Sequence, residues 1–413
     1  MSGIDAIKIN KAPLIGLAKL MRMAISGVDL APLGAQLIEN IETDISAHSL
    51  MDLAMVLLLR GNRDLALQTQ SEAITGQQVY TQPTMCPSIS IRVCAILSAG
   101  DLMANTPLEF LLEDSDVLLH LVYVTEDRPL PANSELPEHD VLFVAIAQSD
   151  QNMSLLKAVS AAIINWPKPV LNRPERIALL SRNQACECLQ SIPGVSMPST
   201  VRLDRQHLEK LANQELALDF ILADGVYPII VRPVDSHAGQ GLDKIVDAVA
   251  LDLYLQEHTN SEFYISRFID YRGQDGLFRK YRIVLIEGQP FLCHLAISEH
   301  WMIHYLNAGM AESTEKRAEE AAVMSDFDTD FALRHAHAFL AINKRIGLDY
   351  LGIDCGETPD GQLLIFEVDS CMVVHAIDSV EIFPYKQAQM RKVFKAFRHM
   401  LLNTILIKKS HNL

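Results

Sequence analysis

The stretch YLGIDCGETPDGQLLIFEVDS, residues 350–370, decides the fold. Two apolar runs flank a Pro-Asp-Gly tripeptide, which is typical of tight turns, so the stretch predicts a β-hairpin. Asp354 lies on the first strand. Glu367 and Asp369 lie on the second strand, two residues apart and therefore on one face. Antiparallel pairing brings these carboxylates together, and because like charges repel, the hairpin predicts a bound cation.

Oxygen ligands suit Mg²⁺ or Mn²⁺, usually with phosphate oxygens as the remaining ligands. We therefore predict that Asp354, Glu367 and Asp369 are metal ligands. The alternative is that they are surface acids on an exposed hairpin. The apolar flanks and the order of the elements upstream favour the metal site.

Composition limits the class of protein. The chain has 413 residues, with 49% hydrophobic and 21% charged residues, which suits two to four globular domains. Its net charge of −16 disfavours nucleic acid as a partner. The seven cysteines are scattered and the first residues carry no signal-peptide pattern, so a cytoplasmic protein is expected. The longest apolar run, residues 51–59, is too short to span a membrane, so no membrane partner is expected.

Residues 1–80 predict a helical appendage. Apolar residues recur at helical spacing over 47–74, with a break at Gly61-Asn62. The small residues Ala54, Ala66 and Ala73 make this hairpin resemble a tetratricopeptide repeat. Two interpretations stay open: a plain hairpin packed on the main body, or a docking site for a protein or peptide partner.

Residues 81–180 predict a parallel α/β domain. Short β-rich runs at 89–97, 117–124, 140–147 and 168–172 alternate with helical segments. No G-x-G-x-x-G motif follows any of these strands, so a dinucleotide site is not expected.

Residues 181–413 predict a second α/β domain, with a C-terminal helix at 384–409. The glycine-containing loop DSHAGQG, residues 235–241, allows backbone amides to approach a phosphate closely. The C-terminal helix is basic and amphipathic, so it predicts contact either with a membrane or with the acidic body of this protein.

Six segments, in order, resemble the ATP-grasp carboxylate–amine ligases, in the branch of glutathione synthetase and the ribosomal-protein glutamate ligases. The resemblance covers about half of the chain, from Val170 to Ile377. The segments are IPGVSMPST (192–200), PIIVRPVDSHAGQGL (228–242), FYISRFID (263–270), KYRIVLIEGQPF (280–291), LNAGM (306–310) and GID with FEVDS (352–354 and 366–370).

The resemblance implies an α/β (α+β ATP-grasp) fold, in which a helical appendage and a pre-grasp domain precede a two-lobed ATP-grasp domain with a lid at about 221–265. It implies ATP and Mg²⁺ or Mn²⁺ as cofactors, and Arg282 and Arg232 as catalytic residues that hold phosphate. The residues expected to bind nucleotide are Arg232, Ser236, His237, Ala238, Gly239, Gln240, Gly241, Arg267, Phe268, Ile269 and Asp270. The residues expected near the substrates are His304, Tyr305, Asn307, Ala308, Gly309 and His375.

Several positions depart from the family pattern. Arg232 replaces the lysine of the lid, Asp369 replaces an asparagine, and Arg267 stands where relatives often carry an acid. Arg182 is a further candidate for nucleotide contact, because the family often has a lysine nearby. Lys280 is assigned no role, on the interpretation that it points to the face opposite Arg282.

The implied function is an ATP-dependent ligase that joins a carboxylate to an amine through an acyl phosphate and releases ADP and phosphate. Small molecules or peptides would supply both groups, and the family resemblance leaves a homodimer open. One alternative is a peptide-modifying enzyme that closes ester or amide macrocycles. Another is a nucleotide-binding scaffold without turnover.

Overall fold

The computed structural model describes residues 13–43, 45–84, 86–236, 239–304 and 307–411. For residues 409–411 it describes the backbone only. The chain divides into two compact units: Met1–Ala178 with Ser370–Leu413, and Leu179–Asp369. Helices and several β-sheets occur in these ranges, so the predicted mixed α/β class is confirmed.

The first unit begins with four helices. They are α1 (Leu17–Ile25), α2 (Ala31–Thr43), α3 (Ala47–Leu59) and α4 (Arg63–Gly76). The predicted break at Gly61-Asn62 separates α3 from α4, which pack against each other. Gly61 has φ +82°, a conformation that favours glycine at the end of a helix. A small core of leucine and valine side chains, including Leu20, Leu53 and Val56, holds α1, α2 and α3 together.

A buried carboxylate ties α1 to α3. The backbone N–H groups of Ile15 and Gly16 donate to the Asp52 side chain at 2.8 and 3.0 Å. Burial raises the pKa of Asp52 to about 6, although these two hydrogen bonds oppose the shift. Asp52 thus satisfies amides that the start of a helix leaves without partners.

A five-stranded sheet with the order β1-β3-β2-β4-β5 follows the helices. Its strands are β1 (Val79–Thr81), β2 (Ile91–Ser98), β3 (Val117–Val124), β4 (Val141–Val144) and β5 (Val170–Leu171), and its helices are α5 (Leu108–Leu111), α6 (Met153–Ala162) and α7 (Pro174–Ile177). β2 pairs in parallel with β3 and β4, and β4 with β5, which confirms the predicted parallel sheet. β1 is an antiparallel edge strand that the sequence did not indicate.

The second unit contains two antiparallel-rich sheets. One has the order β7-β10-β8-β9 and the other β12-β11-β13-β14-β6. The strands are β6 (Val195–Ser196), β7 (Thr200–Asp204), β8 (Ile229–Pro233), β9 (Asp243–Ile245), β10 (Glu262–Arg267), β11 (Phe278–Ile286), β12 (Gln289–Ser298), β13 (Tyr350–Glu357) and β14 (Leu363–Asp369). The helices are α8 (Arg182–Leu189), α9 (Arg205–Ala212), α10 (Ala248–Glu257), α11 (Thr314–Asp326), α12 (Phe331–Arg334) and α13 (Ala336–Ile346).

The C-terminal helix α14 (Lys386–His411) belongs to the first unit, whereas the sequence grouped it with the second. Its Phe397 ring lies 5.8 Å from that of Phe143 on β4. Its Arg398 forms a fork with Asp116, with two N–O distances of 2.6 Å. An amphipathic helix packs on the core that covers its apolar side, here through Phe397. Of the two predicted contacts of this helix, the Arg398–Asp116 pair shows the one with the body of the protein. In the described ranges, no helix has both the length and the hydrophobicity of a membrane span.

Candidate functional site

The predicted carboxylate hairpin is formed by β13 and β14. Asp354 stands directly opposite Glu367 in the antiparallel register, and Asp369 stands opposite Gly352. The register shifts by one residue between Asp354 and Cys355, which marks a bulge beside the carboxylates. Gly361 has φ +80° in the turn, as the Pro-Asp-Gly tripeptide predicts. The hairpin therefore places Asp354 and Glu367 as neighbours on one face.

Two cations of β11 hold Asp354. Arg282 is its register partner and donates from Nε to Oδ1 at 2.8 Å and from Nη2 to Oδ2 at 2.9 Å. The Nζ atom of Lys280 lies 2.7 Å from Oδ2. Burial by itself raises the pKa of Asp354, but the charges and hydrogen bonds of Arg282 and Lys280 outweigh it, and the pKa is held well below its usual range. Asp354 is therefore a permanent anion.

The position of Lys280 corrects the sequence interpretation. Lys280 and Arg282 are two residues apart on a strand, so they point to the same face, and the assignment to opposite faces was wrong. The period of two along a strand is the sequence signal that places Lys280 on the face of Arg282. Lys280 also donates to the backbone oxygen of Ile303 at 3.3 Å.

A third cation holds Glu367. Arg182, in the first turn of α8, has its Nη2 atom 2.5 Å from Oε1 of Glu367. Burial raises the pKa of Glu367, but the charges of Arg182 and Arg232 lower it by more, so the net shift of the pKa is downward. Arg182 and Glu367 are 185 positions apart in the chain, so only the folded structure reveals their contact.

Arg232 on β8 belongs to the same electrostatic group. Burial lowers its pKa to about 10, and the positive charge of Arg182 lowers it as well, while Glu367 opposes the shift. The described interactions thus join four cations, Arg182, Arg232, Lys280 and Arg282, to two carboxylates, Asp354 and Glu367. The formal sum of these six groups is 4 − 2 = +2, an excess that favours an anionic ligand.

The carboxylates differ in how well they suit a metal ion. Both oxygens of Asp354 already accept hydrogen bonds from cations, so Asp354 does not suit a divalent ion in this arrangement. The side chain of Glu367 is 33% exposed, and the oxygens of Glu367 and Asp369 are of the type that Mg²⁺ or Mn²⁺ prefers. Among the residues that the structure describes, no cluster of three or more His, Cys, Asp or Glu side chains is arranged as a metal site.

The loop after β8 folds over Arg232. The Arg232 guanidinium donates to Ser236, both to the backbone oxygen and to Oγ, the latter from Nε at 3.2 Å. Ser236 Oγ in turn donates to the backbone oxygen of Pro233 at 2.8 Å. The next two predicted nucleotide-binding residues, His237 and Ala238, lie outside the described residues. Of the predicted nucleotide-binding residues in this loop, Ser236 is thus in direct contact with Arg232.

The two glycines of this loop are needed where they stand. Gly239 has φ +74°, and a Cβ there would lie 2.6 Å from Nε2 of His304. Gly241 has φ +64°, a Cβ there would lie 2.8 Å from Cδ of Pro233, and its backbone oxygen accepts a 2.6 Å hydrogen bond from Tyr254. Both positions combine a left-handed backbone with close neighbours, which only glycine accommodates. Gln240, between them, is exposed.

The end of β10 and the residues after it carry the remaining predicted nucleotide-binding residues, Arg267, Phe268, Ile269 and Asp270. The backbone N–H of Phe268 donates to Pro228 at 3.0 Å, and Lys244 Nζ lies 3.8 Å above the Phe268 ring. Arg267 reaches Asp224 at 3.5 Å, and Asp270 forms a surface ion pair with Arg272 at 2.5 Å. Ile269 is half-buried between them. The exposed charges thus satisfy each other, and Phe268 presents an aromatic face.

The predicted substrate loop is anchored through its backbone. His304 N donates to Oδ1 of Asn307 at 2.9 Å, and Asn307 N donates to the backbone oxygen of His304 at 3.1 Å. Ala308 is buried, and its oxygen accepts a 2.6 Å hydrogen bond from Lys316. Gly309 has φ +64°. Tyr305, inside this loop, lies outside the described residues.

The two predicted substrate histidines have different surroundings. Burial and the nearby Lys280 charge lower the pKa of His304, which places its ring in the electrostatic field of the cation group. His375 belongs to the first unit, where its ring packs edge-on against Phe110 with centroids 5.9 Å apart. His304 thus lies near the group that surrounds Asp354, within the second unit, whereas His375 is a residue of the first unit.

No protein-family model matches the sequence. Among solved structures, the chain is similar to an ATP complex of D-alanine–D-alanine ligase from Bacillus anthracis, at 15% identity and TM-score 0.47, over 78% of this chain and 100% of that one. It is similar to a RimK-domain ATP-grasp protein from Sphaerobacter thermophilus, at 16% and 0.42, over 76% and 99%. It is also similar to the VanG D-Ala:D-Ser ligase from Enterococcus faecalis, at 14% and 0.45, over 76% and 99%. These similarities are too weak to identify a family.

Proposed function

We propose that the protein is an ATP-grasp ligase that joins a carboxylate to an amine, of the branch that its sequence segments resemble. A carboxylate does not react with an amine at neutral pH, because oxide is a poor leaving group. Transfer of the γ-phosphoryl group of ATP to the carboxylate gives an acyl phosphate and ADP. The amine then attacks the acyl carbon, phosphate leaves, and the amine loses a proton as the amide forms.

The observation that carries the proposal is the cation group around Asp354 and Glu367. Four cations surround these two carboxylates, or three carboxylates once Asp369 is counted, in a protein whose net charge is −16. A reaction between ATP and a carboxylate must bring two anions together, so it needs such an excess of positive charge. A role in stability alone would need no excess, because unpaired charge costs free energy in a partly buried place.

The side chains of the group have distinct roles in this proposal. Arg282, fixed by the Asp354 fork, stabilises negative charge on the phosphoryl group in transfer. Arg232 binds nucleotide phosphate, which requires it to exchange its contacts with Ser236 for contacts with ATP. A divalent cation, held by Glu367 and Asp369, would neutralise further phosphate charge when bound.

The glycine-containing loop excludes water. An acyl phosphate hydrolyses if water reaches it, so the site must close before transfer. Gly239 and Gly241 let the backbone of this loop lie close to His304 and Pro233. The same loop supplies backbone N–H groups for phosphate oxygens.

The test is ATP-dependent ADP release with Mg²⁺ and mixed pools of carboxylic acids and amines, each pool containing amino acids and short peptides. A ligase releases ADP when both pools are present, and mass spectrometry detects the amide or peptide product. ADP with the carboxylate pool alone, together with a hydroxamate when hydroxylamine is added, identifies the acyl phosphate step. An ester or macrocycle among the products would identify the peptide-modifying alternative instead.

The control is the double variant Asp354→Asn with Glu367→Gln, which keeps the side-chain shapes and removes both charges. We expect it to release no ADP above background. If the unmodified protein binds ATP but releases no ADP with any combination of pools, the ligase proposal is contradicted and the protein is a nucleotide-binding scaffold.

A further inference from the structure

The cation beside Asp354 is a side chain of the protein, the ammonium group of Lys280. Lys280 Nζ lies 2.7 Å from Oδ2, on the same oxygen that accepts the Nη2 hydrogen bond of Arg282. The side chain of Asp354 is only 2% exposed and that of Lys280 only 16%. A divalent ion that used this oxygen would be a third cation on it, beside the ammonium group and the guanidinium, so it would first have to displace the ammonium group.

We propose, on the basis of the proposed function, that Lys280 takes the place of a second divalent ion, one that Asp354 would otherwise hold at the nucleotide phosphates. An ammonium group has three donors. Asp354 accepts one, and the backbone oxygen of Ile303 accepts another at 3.3 Å. The third donor meets a phosphate oxygen of the bound nucleotide. The site then needs one divalent ion fewer than a site in which Asp354 coordinates metal.

The geometry favours Lys280 for this role over the other cations. Arg282 is held by a two-point fork, and its planar guanidinium has a fixed direction. Arg182 is bound to Glu367, and Arg232 to Ser236. Lys280 has a compact charge on a flexible stem, the form of side chain that most resembles a bound metal ion. It is also held in place before the nucleotide arrives, so no water has to be removed from an ion.

The experiment counts Mn²⁺ ions in the complex with a non-hydrolysable ATP analogue, by electron paramagnetic resonance and equilibrium dialysis. The variants are Lys280→Met, which removes the charge, and Lys280→Arg, which keeps it. We expect the wild type and Lys280→Arg to bind about one Mn²⁺ per nucleotide, and Lys280→Met to bind about two. Arg279→Met is the matched control, because it removes a cation from the other face of β11, and we expect it to follow the wild type.

A second readout is the affinity for the analogue with and without EDTA. We expect EDTA to weaken nucleotide binding about tenfold in the wild type and about a hundredfold or more in Lys280→Met, since the variant relies on metal for the missing charge. Thermal melting checks that each variant folds. Lys280→Gln replaces Lys280→Met if the latter does not fold, because glutamine retains a donor for Asp354 without the charge.

The outcomes separate the two proposals. Equal Mn²⁺ counts and equal EDTA effects in the wild type and Lys280→Met overturn the role of Lys280 and leave the ligase proposal standing. No binding of the analogue by the wild type, with or without Mn²⁺, overturns both. An additional Mn²⁺ in Lys280→Met and none in Arg279→Met supports the role of Lys280.

Discussion

The two faces of strand β11 carry similar residues in very different environments. On one face, Arg279 pairs with Asp275 at 2.6 Å and with Glu319 at 2.5 Å, and the carboxylates are 45% and 35% exposed. On the other face, Lys280 and Arg282 pair with Asp354, which is 2% exposed. The two arginines are similarly exposed, at 25% for Arg279 and 23% for Arg282, so the faces differ in the carboxylate, which only the second face removes from water.

The difference shows which pairs have a function beyond stability. Exposed ion pairs contribute little, about 0–1 kcal/mol each, and form wherever long charged side chains meet. Buried ion pairs lose hydration that their attraction only partly restores, and apolar residues often stabilise a fold as well. The Asp354 face therefore has a cost to stability that a role in binding anions explains, whereas the Arg279 face needs no such explanation.

The largest expected effect is on stability. Asp354→Asn leaves Lys280 and Arg282 facing a neutral amide, so we expect the free energy of unfolding to fall by about 3–5 kcal/mol. Asp275→Asn, on the exposed face, is expected to lower it by less than about 1 kcal/mol. Urea denaturation at pH 7, followed by circular dichroism, measures both. A similar loss in the two variants would show that burial does not distinguish the faces.

The next effect is on activity. Arg282→Met is expected to lower kcat of ATP-dependent ADP release by about 10²–10³, as the loss of a charge that stabilises a transition state does. Arg279→Met, three positions earlier and on the other face, is expected to retain kcat within about threefold. Steady-state kinetics on the substrate pair found for the wild type measures both, with the ATP analogue affinity as a check on binding.

Salt distinguishes the faces more finely. We expect the coupling free energy between Arg279 and Glu319, from a double-mutant cycle, to fall by half or more between low salt and about 1 M KCl, where the Debye length is about 3 Å. The coupling between Arg282 and Asp354 is expected to change little, since their charges are shielded from ions. Equal salt dependence for both pairs would contradict the assignment of one buried and one exposed face.

The smallest effect is a pKa shift on the exposed face. The hydrogen bond from Arg279 lowers the pKa of Asp275 from 3.8 to about 2. A lowered carboxyl pKa stabilises the fold above pH 3.8, and this contribution disappears as pH falls through about 2. Because Asp275 is exposed, the contribution stays below about 1 kcal/mol.

Carbon-13 NMR titration of the Asp275 carboxyl group measures this shift directly. We expect Arg279→Ala to return the pKa of Asp275 towards 3.8. The matched control is Arg272→Ala, which removes the partner of Asp270 instead and is expected to leave Asp275 unchanged. An unshifted Asp275 in Arg279→Ala would mean that another group lowers its pKa.

The sequence determined the elements and the hairpin. Two apolar runs and a Pro-Asp-Gly turn give β13 and β14, and the period of two places Glu367 and Asp369 on one face of the second strand. The parallel sheet of the first unit likewise follows from short β-rich runs separated by helices. These features depend on local propensity and short-range pairing, which a single sequence contains.

Only the tertiary structure decided which charges meet. Arg182 reaches Glu367 from 185 positions away, Lys280 shares an oxygen of Asp354 with Arg282, and α14 joins the first unit. Such contacts depend on how separate strands and helices pack, and local sequence patterns do not indicate which distant segments pack together. Periodicity is enough to place Lys280 on the face of Arg282. The group of four cations and two carboxylates, however, arises only when β8, α8, β11 and the hairpin come together, because electrostatic energy depends on separation in space and not along the chain.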